Sequence, residues 1–327
     1  MNKALRGDAE AIARSAVAAV CPDAAVRRAL DGKSFTGRQY LVAVGKAAWK
    51  MAEAALLCLH RPPESGIVIT KYGHIEHALP SITCFEAGHP IPDDNTFAAT
   101  RAVLEMTEGL TSSDTVIFLL SGGRSALFEK PLVSGDELQS ITRQLLASGA
   151  DIVEVNAIRK HLSAVKGGRF AQWCAPAHVE TIVLSDILGN PLDMIASGSA
   201  APNHTTCAQA VDIAKKYDLQ LSEAAWELIN RETLMQLTNV STQIVGSVRE
   251  LCLASAQAAR ELGYEPIMLT DHLDCQAKEA GRFLDSIART HANDGKRLAF
   301  IAGGETVVRV VGNGLGGRNQ ELALSAS

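Results

Sequence analysis

Short apolar runs alternate with longer amphipathic segments along most of this chain, and this alternation constrains the fold more than any other feature. YLVAV (residues 40–44) and TVIFLL (residues 115–120) have the length and composition of buried strands. Segments with helical spacing of the apolar residues separate such runs. This order is typical of βαβ units, so the sequence predicts an α/β fold with mostly parallel sheets.

Boundary signals support several of the helices. Ser134 with Glu137 forms a capping-box pattern, and Asp151 with Glu154 forms a looser version of it. The predicted helices cover residues 8–20, 47–60, 94–108, 136–147, 151–160, two stretches within 206–231, a segment ending at 262, residues 275–291 and a last segment within 314–327. The predicted strands cover residues 40–44, 66–70, 81–85, 115–120, 181–186, 243–247, 266–270, 298–304 and 306–311.

The chain of 327 residues is long for one domain, and the alternation of strands and helices starts again after a polar stretch near residues 233–242. We therefore predict two α/β domains, at residues 1–235 and 236–327. Ligands of such folds bind beyond the carboxyl ends of the strands, so the residues that follow each strand are the first candidates for a site.

Composition excludes several classes of function. The net charge is −5, from 31 basic and 36 acidic residues, and no long basic run is present, so nucleic acid is not an expected partner. No apolar run approaches the ~18 residues of a membrane span, so no membrane association is expected either. The seven cysteines are scattered without a CxxC pair, which favours reduced thiols and a cytoplasmic location.

Several predicted strands end in a glycine-rich or charged turn. Glycine lets a backbone approach a ligand closely, and the start of the following helix offers unpaired N–H donors to a phosphate or carboxylate. One such turn alone is weak evidence, whereas several at strand ends favour a ligand site. The residues concerned are Lys46, Ser121, Gly122, Gly123, Ser125, Asp186, Gly303, Gly304 and Glu305.

Lys46 lies in the first turn of a predicted helix, after the strand and Gly45. A cation is disfavoured there by the helix macrodipole unless an anion is close. A phosphate beside Lys46 would remove that conflict, so we favour a functional lysine over a solvated surface lysine.

Two other sets of candidate residues each allow a functional and a structural interpretation. Asp186 and Asp193 are either a Mg²⁺ or base site beside phosphates or a pair of loop-capping carboxylates. Asn156 and Lys160 fall near one helical face, for which a solvated basic face is the commoner explanation.

Two other patterns are interpreted as coincidences. Gly312, Gly314 and Gly317 fit GxGxxG, but the acidic residue expected about 20 positions later would fall beyond the last residue. A metal cluster of three histidines and a cysteine fits no standard zinc spacing, so a core or loop role is expected. These residues are His74, His77, His89 and Cys84.

Six motifs follow one another along the chain: VAVGKAA, EAGHPIPDDNT, FLLSGGRSAL, VNAIRKHLSAVKGGR, VLSDILGNPLDMIASG, and GGETVV with GLGGRNQELAL. Their combination and order closely resemble the class II glycerate 2-kinases, bacterial and archaeal enzymes with a MOFRL-type C-terminal domain. Some members of that family have been labelled hydroxypyruvate reductases. The resemblance extends from about residue 11 to the last residue.

The resemblance implies a kinase that transfers the γ-phosphoryl group of ATP to the 2-hydroxyl of D-glycerate, with Mg²⁺ or another divalent cation. It also implies a Rossmann-like N-terminal α/β/α domain and a smaller MOFRL-type α/β domain, with the active site in the cleft between them. Lys46 and Arg318 match the basic residues for catalysis and phosphate binding, and Asp186 is the candidate base or metal anchor beside Asp193. The other matched positions are Ser121, Gly122, Gly123, Asn156, Lys160, Glu305, Asn319 and Glu321.

Two features depart from the family pattern. The proline that usually follows IASG is replaced in SGSAAP. Family members also continue past GGRNQELAL into further strands, so the resemblance implies a C-terminal domain that is incomplete relative to the family, with an apolar edge. The sequence is either a fragment of a longer protein or a naturally shortened chain, and weak activity is expected in the second case. Association through that edge leaves a homodimer open.

Three hypotheses on function therefore stand side by side. The first is the glycerate 2-kinase, with D-glycerate and ATP as small-molecule partners. The second is an NAD(P)H-dependent hydroxypyruvate reductase. The third is a protein that binds glycerate or nucleotide without turnover.

Overall fold

The apolar runs form a six-stranded sheet in the computed structural model, which describes residues 3–185, 198–233, 236–309 and 314–327. The strand order is β3-β2-β1-β4-β5-β6, and the neighbours from β3 to β5 pair in parallel. This is the order of the doubly wound Rossmann fold, so the predicted α/β class is confirmed. The strands are β1 (Gln39–Val44), β2 (Ser65–Lys71), β3 (Ile82–Ala87), β4 (Thr115–Leu120), β5 (His178–Leu184) and β6 (Val240–Gly246).

Both faces of this sheet are covered, which explains why its central strands β1 and β4 are buried at every position and mostly apolar. Val42 and Phe118 belong to the core on one face, together with Phe170. Leu41 and Trp49 belong to the core on the other face. A parallel sheet buried on both sides needs continuous apolar runs rather than alternation, as the sequence shows.

The helices that cover the sheet follow the predicted pattern, with three short additions. Asp93 and Asp151 form full capping boxes, and Ser134 caps its helix through the N–H of Glu137. The short helices α2, α5 and α8 were not predicted, because nine residues or fewer give little periodicity. The helices are α2 (Pro22–Leu30), α3 (Ala48–Cys58), α4 (Asp94–Met106), α5 (Arg124–Leu127), α6 (Gly135–Ala147), α7 (Ile152–His161), α8 (Arg169–Cys174), α9 (Cys207–Lys216) and α10 (Glu223–Ile229).

Packing divides the chain differently from the predicted boundary at residue 235. The larger unit is Pro22–Val245, and the smaller unit joins the segment up to Cys21 with Gly246–Ser327. β6 extends the large sheet to residue 246, and the first helix packs on a helix of the C-terminal segment. The two crossings between units are therefore at residues 21–22 and 245–246.

The smaller unit contains two parallel strands with helices. Residues 306–309 were predicted as part of a strand, which is wrong, since they contain one isolated bridge, between Val307 and Gln276. Among the described helices, none is long and apolar enough to cross a membrane. The elements are α1 (Lys3–Val20), α11 (Val248–Glu261), β7 (Glu265–Leu273), α12 (Ala277–Thr290), β8 (Leu298–Gly304) and α13 (Arg318–Ser325).

Candidate active site

The strand order of the larger unit reverses between β1 and β4, and ligands of such sheets bind at that switch point. Lys46 follows β1, and residues 121–123, the SGG turn, follow β4. The backbone N–H of Lys46 donates to the carbonyl of Gly122 at 2.8 Å, and the N–H of Ala47 donates to Ser121 Oγ at 3.0 Å. The structure thus brings together two of the predicted strand-end segments.

Two glycines make this close approach sterically feasible. Gly45 has a φ of 128°, and a Cβ on it would lie 2.3 Å from Ser121 Oγ. Gly123 has a φ of 85°, and its Cβ would lie 3.0 Å from His89 Nε2 and 3.1 Å from Lys46 Cε. A side chain at either position would force the turn and the lysine apart.

His89 is a site residue that the sequence analysis assigned to a core or loop role. Its ring lies beside Gly123 and the Lys46 side chain, as those two distances show. The signal that was available is its position, two residues after β3 at the same edge of the sheet. His74, on the segment after β2, also approaches this region, with Nδ1 2.9 Å from the carbonyl oxygen of Lys46.

The loop that carries His89 is fixed by Asp93. Its carboxylate accepts from the N–H of Thr96 at 2.9 Å and from the hydroxyl of Tyr72 at 2.6 Å. Burial alone would raise the pKa of Asp93, but hydrogen bonds from Tyr72, from the backbone of Gly88 and from Thr96 hold that pKa below its usual value.

The α7 residues are buried rather than solvated, so the commoner explanation offered for this stretch is wrong. Asn156 is 2% exposed and Lys160 is 1% exposed. The Lys160 carbonyl accepts a hydrogen bond from Arg169 Nη1 at 2.7 Å. Helical spacing alone could not reveal this burial, because α7 packs against α6, α9 and α10, which lie elsewhere in the sequence.

A buried ion cluster lies beside these residues and was not predicted. Glu129 and Lys166 are both fully buried, and Glu129 Oε2 lies 3.4 Å from Lys166 Nζ and 3.4 Å from Arg159 Nη2. Burial lowers the pKa of Lys166 to about 8, against the opposing effect of Glu129. Three acceptors lie around Lys166 Nζ, namely this carboxylate and the carbonyl oxygens of Ser125 and Phe128.

The smaller unit holds the remaining candidates. Arg318 Nη2 lies 2.5 Å from Glu305 Oε1, both side chains being about half exposed, so two predicted residues meet here. Asn319 and Glu321 lie in the first turn of α13, beside Arg318. Whether Arg318 and Lys46 act on one ligand stays a prediction.

Packing also accounts for the two glycines at the end of β8. A Cβ on Gly303 would lie 2.3 Å from Cys252 Sγ, and one on Gly304 would lie 2.0 Å from the carbonyl oxygen of Leu273. Their predicted contact with a ligand therefore stays a prediction.

The candidate metal ligands Asp186 and Asp193 lie outside the described residues, as does Gly312 of the GxGxxG pattern. Within the described ranges no three His, Cys, Asp or Glu side chains are grouped as metal ligands.

Two family models match the chain. One, described as a domain of unknown function (DUF4147), matches residues 8–230, and the other, the MOFRL family, matches residues 298–327. The D-glycerate 2-kinase of Thermotoga maritima is 49% identical over 322 residues, which cover 97% of this chain and 77% of the relative. The chain belongs to the glycerate 2-kinase family.

A second relative and a solved structure support this placement in the glycerate 2-kinase family. The glycerate 2-kinase of Pyrococcus horikoshii is 38% identical over 317 residues, covering 91% of this chain and 71% of the relative. The crystal structure of the Thermotoga maritima glycerate kinase matches with a TM-score of 0.95 at 47% identity, covering 99% of this chain and 80% of that one. Two of the family motifs, VAVGKAA and FLLSGGRSAL, supply the segments that meet at the switch point.

Proposed function

We propose that this protein is an ATP-dependent D-glycerate 2-kinase that produces 2-phosphoglycerate. The observation that carries the proposal is the junction of Lys46 with the SGG turn at the switch point, in a chain of the glycerate 2-kinase family. A lysine beside a glycine-rich turn at the carboxyl ends of the strands suits a phosphate group.

Phosphoryl transfer needs neutralisation of charge on the transferred group and in-line positioning, with little covalent chemistry from the protein. Lys46 supplies a cation at the mouth of the turn. The start of α3 adds N–H donors, since its N-cap residue Ala47 makes no side-chain cap. Gly122 and Gly123 let phosphate oxygens approach the backbone.

Arg318 is the second cation of the proposed mechanism. In the structure it pairs with Glu305 and also donates to the carbonyl of Thr306 at 3.4 Å. A phosphate that takes up Arg318 would therefore replace Glu305 as its partner. Because that ion pair is half exposed, screening by water keeps the cost of the exchange small.

A divalent cation would neutralise the phosphate oxygens and shape the nucleotide for transfer. Asp186 and Asp193 are proposed for its site, with Asp186 as either the metal anchor or the base. The described residues contribute cations rather than metal ligands.

The test is to incubate the purified protein with ATP, Mg²⁺ and D-glycerate, and to identify the product by ³¹P NMR. Release of ADP that depends on D-glycerate, with a 2-phosphoglycerate signal, is expected. Steady oxidation of NADH with hydroxypyruvate would instead support the reductase, and ligand binding without ADP release would support the non-catalytic hypothesis.

We also propose a cytoplasmic location for the enzyme. All seven cysteines are free thiols, and the buried Cys174 has its pKa raised to about 12 by burial. Unpaired thiols are typical of reducing compartments.

A further inference from the structure

The SGG turn is followed by a helix too short to hold it in place. α5 has four residues, and Gly123 before it has a left-handed φ of 85°. A single helical turn has few internal hydrogen bonds, so its orientation depends on what binds its far end. Two carbonyls mark that end, those of Ser125 in α5 and of Phe128, the residue that follows it.

Lys166 binds both of those carbonyls from the interior. Its Nζ donates to the Ser125 oxygen at 2.9 Å and to the Phe128 oxygen at 3.0 Å. Arg159 Nη2 donates to the same Ser125 oxygen at 2.8 Å. The ammonium and guanidinium charges also interact favourably with the negative, C-terminal end of the helical turn.

Glu129 and Phe128, which lie beside Lys166, make contacts with other elements of the unit. The backbone N–H of Glu129 donates to Thr100 Oγ1 of α4 at 3.1 Å, and its carboxylate faces both cations. The ring of Phe128 packs on Phe118 of β4 and on Phe170, with centroids 5.8 and 5.1 Å away. The far end of α5 is thus joined to the sheet and to α4.

Stability alone does not explain this cluster. A fully buried ammonium that shares one carboxylate with an arginine pays a large desolvation cost, and apolar replacements of buried ion pairs are often neutral or stabilising. A buried charge that binds two backbone carbonyls fixes direction and distance, which apolar packing does not do. The Lys166 cluster therefore serves to fix the position of the backbone rather than to stabilise the fold.

We propose that Lys166 is a positioning residue, which holds the SGG turn in the orientation that binds phosphate by fixing the Ser125 and Phe128 carbonyls of α5. The role in phosphate binding rests on the proposed kinase function. Arg159 and Glu129 support Lys166 from the same cluster.

The experiment compares Lys166→Met, which keeps the unbranched apolar stem and removes the ammonium, with wild type in two measurements. Amide hydrogen exchange of residues 121–129, followed by mass spectrometry, is expected to become at least about tenfold faster. The reason is that the Ser125 and Phe128 carbonyls lose the ammonium that donates to them. The kcat/KM for ATP is expected to fall by about 10- to 100-fold, chiefly through KM, because small displacements of a binding group are costly.

Lys33→Met is the matched control, since it removes a lysine from another ion pair, with Glu180. It is expected to leave exchange at residues 121–129 and the KM for ATP unchanged, even where it lowers the Tm. If Lys166→Met does not fold, Arg159→Met removes the second donor to Ser125 and is expected to shift both measurements in the same direction by a smaller factor.

Wild-type exchange at residues 121–129 together with a wild-type KM would overturn the inference. Faster exchange spread evenly over the larger unit with a lower Tm would also overturn it, because that is the pattern of a purely structural lysine. Absence of glycerate-dependent ADP release from wild type would refute the kinase proposal instead, and the exchange comparison would still decide whether Lys166 positions the turn.

Discussion

The two units use the same elements, parallel strands and amphipathic helices, with different degrees of burial. β1 and β4 of the larger unit are buried at every position, whereas every residue of β7 and β8 in the smaller unit keeps some exposure. A six-stranded sheet covered on both faces can surround charged groups with low dielectric, and a two-stranded sheet cannot. The charged groups differ in the same sense, since Lys160 and Lys166 of the larger unit are buried, while Arg318 of the smaller unit forms a half-exposed ion pair.

The comparison shows which unit holds its backbone in a fixed geometry and which unit has charged groups that can exchange partners. In the larger unit, buried cations donate hydrogen bonds to backbone carbonyls and fix the backbone around the SGG turn. In the smaller unit, ion pairs such as Lys296 with Glu265 are exposed to water on both sides, and such pairs change partners at little cost.

The largest expected effect concerns the two cores. Phe118→Ala should lower the free energy of unfolding of the larger unit by about 3–5 kcal/mol, because Phe118 is fully buried among other rings. Phe300→Ala in β8 should cost no more than about 2 kcal/mol, since Phe300 is partly exposed already. Urea unfolding followed by fluorescence and circular dichroism would measure both, and equal costs would contradict the comparison.

The next effect concerns the two proposed cations. Lys46→Ala should lower kcat by about 100- to 1000-fold, as expected for loss of one charge-stabilising donor. Arg318→Ala should lower it by a smaller factor of at least about tenfold, because the wild-type arginine must first leave Glu305. Lys50→Ala removes an exposed lysine of α3 paired with Glu76 and serves as the control. Coupled ADP release gives the rates, and wild-type activity of both variants would remove the assignment.

A smaller effect depends on pH. Arg38 donates two hydrogen bonds to Asp114, which holds the pKa of this carboxyl far below its usual value. Asp114 is 2% exposed, so Asp114→Asn should cost about 1–3 kcal/mol at pH 7. A lowered folded-state pKa adds stability that is complete above the unfolded pKa of about 4 and is lost as the pH falls through the folded value. Urea unfolding at pH 7 and pH 3 should show the difference between the two proteins shrinking at the lower pH.

The smallest effect is expected on the surface of the smaller unit. Lys296 lies 3.4 Å from Glu265 with both side chains mostly exposed, so Lys296→Ala should change the free energy of unfolding by less than about 0.5 kcal/mol. The partly buried pair of Lys33 with Glu180 is the matched case in the larger unit, and Lys33→Ala should cost more, because Glu180 is 6% exposed. The same unfolding experiment checks both, and a larger loss from Lys296→Ala would reverse the comparison.

The sequence predicted the fold where local patterns decide it. Continuous apolar runs predicted the buried strands, and Ser134 and Asp151 marked the helix starts that the structure has. The junction of Lys46 with the SGG turn was accessible through the rule that ligands bind beyond strand ends.

The remaining features depend on contacts between distant segments. The burial of Lys160 and Lys166 results from helices that meet only in three dimensions, and no spacing within α7 indicates it. His89 was missed because a histidine in a loop has many possible roles. Residues 306–309 were predicted as part of a strand, but Val307 forms an isolated bridge with Gln276, at the start of α12.

The packing of α1 with the C-terminal segment has a consequence for synthesis on the ribosome. Asp8 of α1 accepts hydrogen bonds from Tyr264 and Arg297, which are made more than 250 residues later. The larger unit is one continuous stretch and can fold as it emerges, whereas α1 cannot complete its contacts until Arg297 has been translated. α1 is thus made well before the segment on which it packs, and chaperones that bind nascent chains have a long time to meet it.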